Sequence, residues 1–202
     1  MKKGYLKPTF PVKNRIFRRV SIVLLSGFAI WGTLLLSGCT SASQPAQGQK
    51  MTTVTIYPSW SRLYQDLKSL KHDSDVAVSG TIMGISKTIP SPSLVMTDFT
   101  FQIQKILWDP HKRINSTSII VQQEGGVTNN TRYVAEDDPL FQVGEEAVLF
   151  LHEFSPGNYY VVGGPTGRFL IRGEVVKPIN NEGLSLPSNL SESTFYTEIQ
   201  NS

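Results

Sequence analysis

The chain has 202 residues, enough for one domain with a real core and short for two. Its formal charge is +3, but seven of its 19 Lys and Arg residues precede Cys39, a stretch with no Asp or Glu. Residues 39–202 therefore carry 12 basic against 16 acidic residues, a formal charge of −4, which argues against nucleic acid, and the single cysteine excludes an internal disulfide.

The first element is a basic segment, with Lys2, Lys3, Lys7, Lys13, Arg15, Arg18 and Arg19. An uncharged apolar run follows from Val20 to Leu36 and ends on Leu36-Ser37-Gly38-Cys39. A basic region, an apolar region and small residues at a cleavage point form a secretory signal. The last four residues resemble a bacterial lipobox. That resemblance implies cleavage before Cys39, a diacylglycerol on its thiol, and a fatty acyl group such as palmitate on the freed amine. Two or more acyl chains make a stable anchor where one does not. The alternative is an uncleaved transmembrane anchor, for which the apolar run is slightly short. In both readings the positive segment stays inside and the rest of the chain lies outside the cytoplasm. The expected organisation is a signal peptide over 1–38, a lipid-anchored flexible tether over 39–55, and one domain over 56–200. The Ser, Thr, Gln, Ala and Gly residues after Cys39 suit a spacer that lifts this domain off the membrane.

In the domain, Trp60, Leu63, Tyr64, Leu67 and Leu70 recur at spacings of three and four and predict a helix over 59–70. A strand is expected from Val76 towards Ile89, ended by Pro90-Ser91-Pro92-Ser93. Phe99, Phe101 and Ile103 alternate with Thr100, Gln102 and Gln104, and the apolar phase then slips to Ile106 and Trp108. A β-bulge near Gln104-Lys105 accounts for the slip. Asp109 to Lys112 reads as a turn and Ser118 to Gln123 as a strand closed by Gly125-Gly126. The polar stretch 127–144 reads as a long loop. Glu145 to Phe154 is a strand that is apolar on both faces through Ala147-Val148-Leu149-Phe150-Leu151, hence deeply buried. Tyr159 to Val162, Arg168 to Ile171 and Glu174 to Val176 complete the strands, and a last helix is expected at about 191–200. The fold class is mainly β: a single small curved antiparallel barrel, OB-like, of five to six strands with a short helix at each end. A β-sandwich is the alternative.

No catalytic or metal constellation emerges. His72, His111 and His152 are far apart and make no metal-ligand spacing. His152 and Glu153, adjacent on a strand, point to opposite faces. Glu136-Asp137-Asp138 lacks the ligand spacing of a calcium loop and reads as surface acidity. No catalytic residue, metal or cofactor is assigned. The most distinctive stretch is Gly163-Gly164-Pro165-Thr166-Gly167-Arg168. Gly163, Gly164, Gly167 and Arg168 form a candidate binding loop for an anion or peptide, with a hairpin at a barrel corner as the structural alternative.

Asp75-Val76-Ala77-Val78-Ser79-Gly80-Thr81, Thr100-Phe101-Gln102-Ile103, Glu124-Gly125-Gly126, Phe141 to Leu151, and Gly164-Pro165-Thr166-Gly167-Arg168-Phe169 together resemble a group of uncharacterised bacterial extracytoplasmic lipoproteins with a small OB-like barrel. The resemblance spans about residues 58–176 and implies a fold and no activity. The functional expectation is a lipoprotein held in the cell membrane through Cys39. It displays a non-enzymatic barrel that binds a small ligand or another envelope protein. The alternatives are an envelope enzyme with a dispersed site, marked by His152 or His111 meeting an acidic residue in a deep pocket, and a structural or assembly lipoprotein.

Overall fold

The computed structural model describes residues 50–91, 94–180 and 183–202. The expected signal peptide, the expected lipobox residues Leu36, Ser37 and Gly38, and Cys39 lie outside the described residues. Residues 46–202 form one compact unit. Among the described residues no helix is long and apolar enough to cross a membrane.

The described elements begin with strand β1 (Thr52–Ile56), helix α1 (Leu67–His72), and strands β2 (Val76–Ile89), β3 (Met96–Trp108) and β4 (Ser118–Glu124). After these come β5 (Gly126–Thr128), β6 (Thr131–Ala135), β7 (Glu146–Ser155) and β8 (Asn158–Val161). A 3-10 turn (Gly164–Gly167), β9 (Arg168–Arg172), β10 (Val175–Pro178) and α2 (Glu192–Asn201) complete the chain.

Five strands close a barrel in the order β2-β3-β4-β8-β7 and back to β2. This is the strand order of an OB barrel, in keeping with the small five- to six-stranded barrel that the sequence predicts. The pairing is antiparallel at every seam except β4–β8, which is parallel, so the barrel is mixed rather than wholly antiparallel. The bulge expected near Gln104 is present: Ser79 pairs with Lys105 and Gly80 with Ile103, which leaves Gln104 unpaired. A second irregularity leaves Leu107 as the extra residue, so Leu107 is the buried side chain and Ile106 is exposed. Met83 and Ser86 are the extra residues on the β2 side. Such bulges bend long strands enough to close a small barrel.

The apolar residues of β7 divide between two cores. Ala147, Leu149 and Leu151 point into the barrel with Val78, Ile82, Phe99, Phe101 and Tyr159. Val148 and Phe150 face the other way, into a second core roofed by Phe169, Leu70, Phe195 and Ile199. A strand buried on both faces has no polar phase, which is why its sequence is continuously apolar.

One edge of β7 is shared by two elements. Leu151 faces Val161 on β8, the Val162 N–H donates to the Phe150 carbonyl, and Leu149 then faces Arg168 on β9. In effect β8 and β9 are one strand from which residues 163–167 loop out.

Three expectations need correction. The helix starts at Leu67, not near residue 59, because the Asp66 side chain accepts from the Ser69 N–H and caps it there. Upstream, Trp60 and Tyr64 are taken by tertiary partners, Asp137 and Asp73. The stretch 127–144 is not one loop, since Asn129 and Asn130 both adopt positive φ and join β5 to β6 as a two-residue hairpin. The tether expected over 39–55 ends early, since Thr52–Ile56 pairs in parallel with β6. In addition, Lys71 is buried: its ammonium donates to the carbonyls of Ile199 and Ser202 and lies 4.3 Å from the Trp108 ring centre.

Candidate functional site

The site grows from a row of side chains on the outer face of the barrel. Asp98 on β3 pairs with Gln122 on β4, Gln122 with Tyr160 on β8, and Tyr160 with His152 on β7. Residues directly opposite one another in a sheet share a face, so these four lie side by side. The Gln122 amide donates to the Asp98 carboxylate at 2.7 Å. His152 lies 5.1 Å from Tyr160, ring centre to ring centre, and Phe154 stacks on Tyr160 from further along β7. His152 is itself held by Asp75 at 2.9 Å, and Arg113 links Asp75 to Glu153. The neighbours of Tyr160 thus fix its ring while leaving it 43% exposed.

Next to this row lies a cleft of about 180 Å³ whose lining includes Trp60, Met96, Gln122, Glu124, Asp138, Tyr160 and Gly164. Trp60 comes from the irregular segment before α1, and two features seat it. Its indole N–H donates to the Asp137 carboxylate at 2.5 Å. Its ring packs on Gly164, where a Cβ would fall 2.5 Å from the indole. Gly163 and Gly164 both have positive φ, a conformation that glycine adopts without strain. The glycines of this loop therefore serve close packing of aromatic rings.

Two carboxylates line the cleft, Asp138, which is paired with Arg168, and Glu124. The second is the one that stands apart. Its carboxylate is half-buried, and the charges acting on it are those of Asp138 and Asp137. Burial first, then these two like charges, push its pKa up. No ion pair with Glu124 occurs among the described residues. A raised acid favours the folded state below the unfolded carboxylate range and loses that stabilisation as pH rises through the folded value. Glu124→Gln should therefore raise the thermal midpoint at neutral pH, by about 1–3 °C after allowance for solvent screening. Near pH 3, where both forms are neutral, wild type and variant should melt together, and calorimetry at the two pH values reads the difference.

Compared with known families and curated proteins, the chain matches no family model and no curated sequence.

The structure distributes the residues expected from sequence as follows. Arg168 does not face a ligand. It is 1% exposed, donates through Nε and Nη2 to Glu145 and through Nη1 to Asp138 and the Pro139 carbonyl, and lies 4.0 Å from the Phe141 ring centre. Its charge is consumed inside the fold, so the candidate anion loop of Gly163, Gly164, Gly167 and Arg168 has no cation to offer. Nor is the loop a corner hairpin. It is a five-residue excursion whose base closes where Gly167 packs on the Val162 carbonyl, too near to admit a Cβ. Gly164 does reach the cleft, as packing surface for Trp60. Asp138, read as surface acidity, is buried against Arg168. Burial still outweighs that pairing and leaves its pKa raised.

His152 does meet a carboxylate, Asp75, and is 44% exposed on the open face of the barrel rather than in a deep pocket. His111 is exposed in the β3–β4 loop, and His72 pairs with Asp73 at the surface. Among the described residues no group of three or more His, Cys, Asp or Glu is placed to hold a metal. Sequence reading missed Trp60, Glu124 and Tyr160. Trp60 had been assigned to a helix face, and Glu124 was an unremarked strand end. Their common signal was weak: a lone Glu before Gly125-Gly126 and a Tyr159-Tyr160 pair whose second ring points outward.

Proposed function

We propose that this protein is a lipid-anchored lipoprotein of the cell membrane whose barrel is a binding module working outside the cytoplasm. The observation that carries the binding role is the cleft. A domain whose deeply buried charges Arg168, Asp138 and Glu145 are paired with one another keeps one half-desolvated carboxylate, Glu124, without a counter-charge beside two aromatic rings. Mostly apolar concavities with a few convergent polar groups and a perturbed acid are where ligands bind. The cleft lies on the face of the second and third barrel strands, which OB barrels use for ligands, although fold alone licenses no function. Among the described residues the charges that line it, Glu124 and Asp138, are carboxylates that would repel a phosphate, so an oligonucleotide is a poor candidate. The lipoprotein part of the proposal rests on Leu36-Ser37-Gly38-Cys39 and on the resemblance to bacterial extracytoplasmic lipoproteins.

Metabolic labelling with a fatty-acid analogue tests the anchor. The wild type should be labelled and sediment with membranes, whereas Cys39→Ala should be unlabelled. Equal labelling of the two would remove the lipoprotein reading.

An enzymatic alternative has one observation in its favour, the His152–Asp75 pair, which is the arrangement of an oriented general base. Its open position favours a different role, that of holding Tyr160 in place beside the cleft.

A further inference from the structure

We infer that the cleft between Trp60, Tyr160 and Glu124 binds the head of a small organic cation, an alkylammonium group. This deepens the proposed binding role and rests on it. Three features of the cleft select this class. The first is charge: among the described residues the ionisable groups lining it are two carboxylates, Asp138, which is paired with Arg168, and Glu124, which has no ion pair, and the neighbouring Asp137 adds negative potential. A neutral ligand leaves Glu124 as uncompensated as it is in the free protein, and an anion makes matters worse. A cation relieves both the burial and the repulsion.

The second feature is the chemistry of the walls. Met96 and the rings of Trp60 and Tyr160 form much of the lining. Calcium or magnesium takes six or more oxygen ligands, and among the described residues no group of three or more His, Cys, Asp or Glu is placed to hold a metal. An alkylammonium needs only one carboxylate, and its carbon substituents are compatible with aromatic faces, which attract the charge through their quadrupoles. The third is size. About 180 Å³ is less than a drug-sized molecule needs and fits a head group of a few heavy atoms. The remainder of the ligand would leave along the open row of Gln122, Asp98 and His152.

The rings are also held in place before any ligand arrives. Trp60 is fixed by Asp137 and Gly164, and Tyr160 by His152 and Phe154. An aromatic site assembled in advance loses little side-chain entropy on binding.

The test uses the full-length chain in a non-ionic detergent, with the Trp60 indole N–H followed by NMR and assigned by its loss in Trp60→Phe. Two cationic probes, choline and n-butylammonium, are compared with 3,3-dimethylbutanol, the neutral isostere of choline. Saturable shifts of the Trp60 signal are expected with the cations, in the millimolar range usual for a single head group, and at least about tenfold weaker with the isostere. Glu124→Gln should weaken choline by about tenfold or more without lowering thermal stability, an outcome that a merely structural role for Glu124 does not produce. If the isostere shifts Trp60 at the same concentrations as choline, or Glu124→Gln binds choline as the wild type does, the cation assignment fails while the binding cleft stands. If no probe moves the Trp60 signal, the cation assignment fails. If a broad screen of neutral and anionic small molecules also leaves the signal unmoved, the binding-module reading fails with it.

Discussion

Replacing Arg168 with methionine should destabilise the domain by about 3–5 kcal/mol, the usual consequence of removing one member of a buried ion group. The guanidinium is the counter-charge for two buried carboxylates, Asp138 and Glu145, and it also donates to the Pro139 carbonyl and packs on Phe141. Methionine fills a similar volume, so the loss is electrostatic rather than a cavity effect. It leaves two carboxylates in a low-dielectric interior where neither can be hydrated. Each must then take up a proton or find water, and either route favours the unfolded chain. The variant should therefore recover stability as pH falls through the raised carboxyl range. Combining Arg168→Met with Asp138→Asn and Glu145→Gln should restore a large part of the loss, because the uncompensated charges are gone. Urea denaturation of the single and triple variants measures this. A loss below about 1 kcal/mol for the single variant would mean that the three charges are solvated. The site depends on this group too, since Asp138 follows Asp137, the acceptor that seats Trp60.

The second large effect is expected at Gly80. It lies in β2, paired on one side with Ile103 and on the other with Ala147, next to the bulge at Gln104. A Cβ there would stand 2.1 Å from the Gln102 backbone oxygen and 2.9 Å from the Phe101 ring. Neither neighbour yields easily: the first is backbone in the barrel wall, and the second is buried in the barrel interior. Gly80→Ala should cost about 3 kcal/mol, towards the upper end of overpacking effects, and lower the thermal midpoint by roughly 6–12 °C. Gly84 supplies the control in the same strand. A Cβ at Gly84 meets nothing within 4 Å, so Gly84→Ala should be neutral or slightly stabilising through the entropy of the unfolded chain. Similar melting of the two variants would show that the β2–β3 seam yields readily.

Much of the fold was legible before the structure was. The alternation of Phe99, Phe101 and Ile103 and the phase slip after Gln104 gave both the strand and its bulge, because a period of two records which face is buried. The unbroken apolar run Ala147 to Leu151 recorded burial on two faces, and the structure supplies the two cores that cause it. Phe195 and Ile199, four apart, marked the last helix, which the Ser191 side chain caps. The Asn129-Asn130 turn was equally readable and was passed over, since the surrounding polarity suggested a loop.

The amino-acid sequence by itself determined the local features: the basic and apolar pattern of the first residues, Leu36-Ser37-Gly38-Cys39, the strand periods, the bulge and the final helix. These depend on residues near one another along the chain. What only the tertiary structure decided is where charge and aromatic surface end up. Arg168, a candidate ligand contact or sheet-edge cover by sequence, is paired inward with Asp138 and Glu145, 30 and 23 residues away along the chain. Trp60 meets Asp137 across 77 residues, and Glu124 and Tyr160 share a cleft because β4 and β8 run parallel at the one seam where the barrel departs from antiparallel order. Sequence periodicity says which side of a strand is buried. Whether a given charge finds a partner depends on which other strands close the barrel around it.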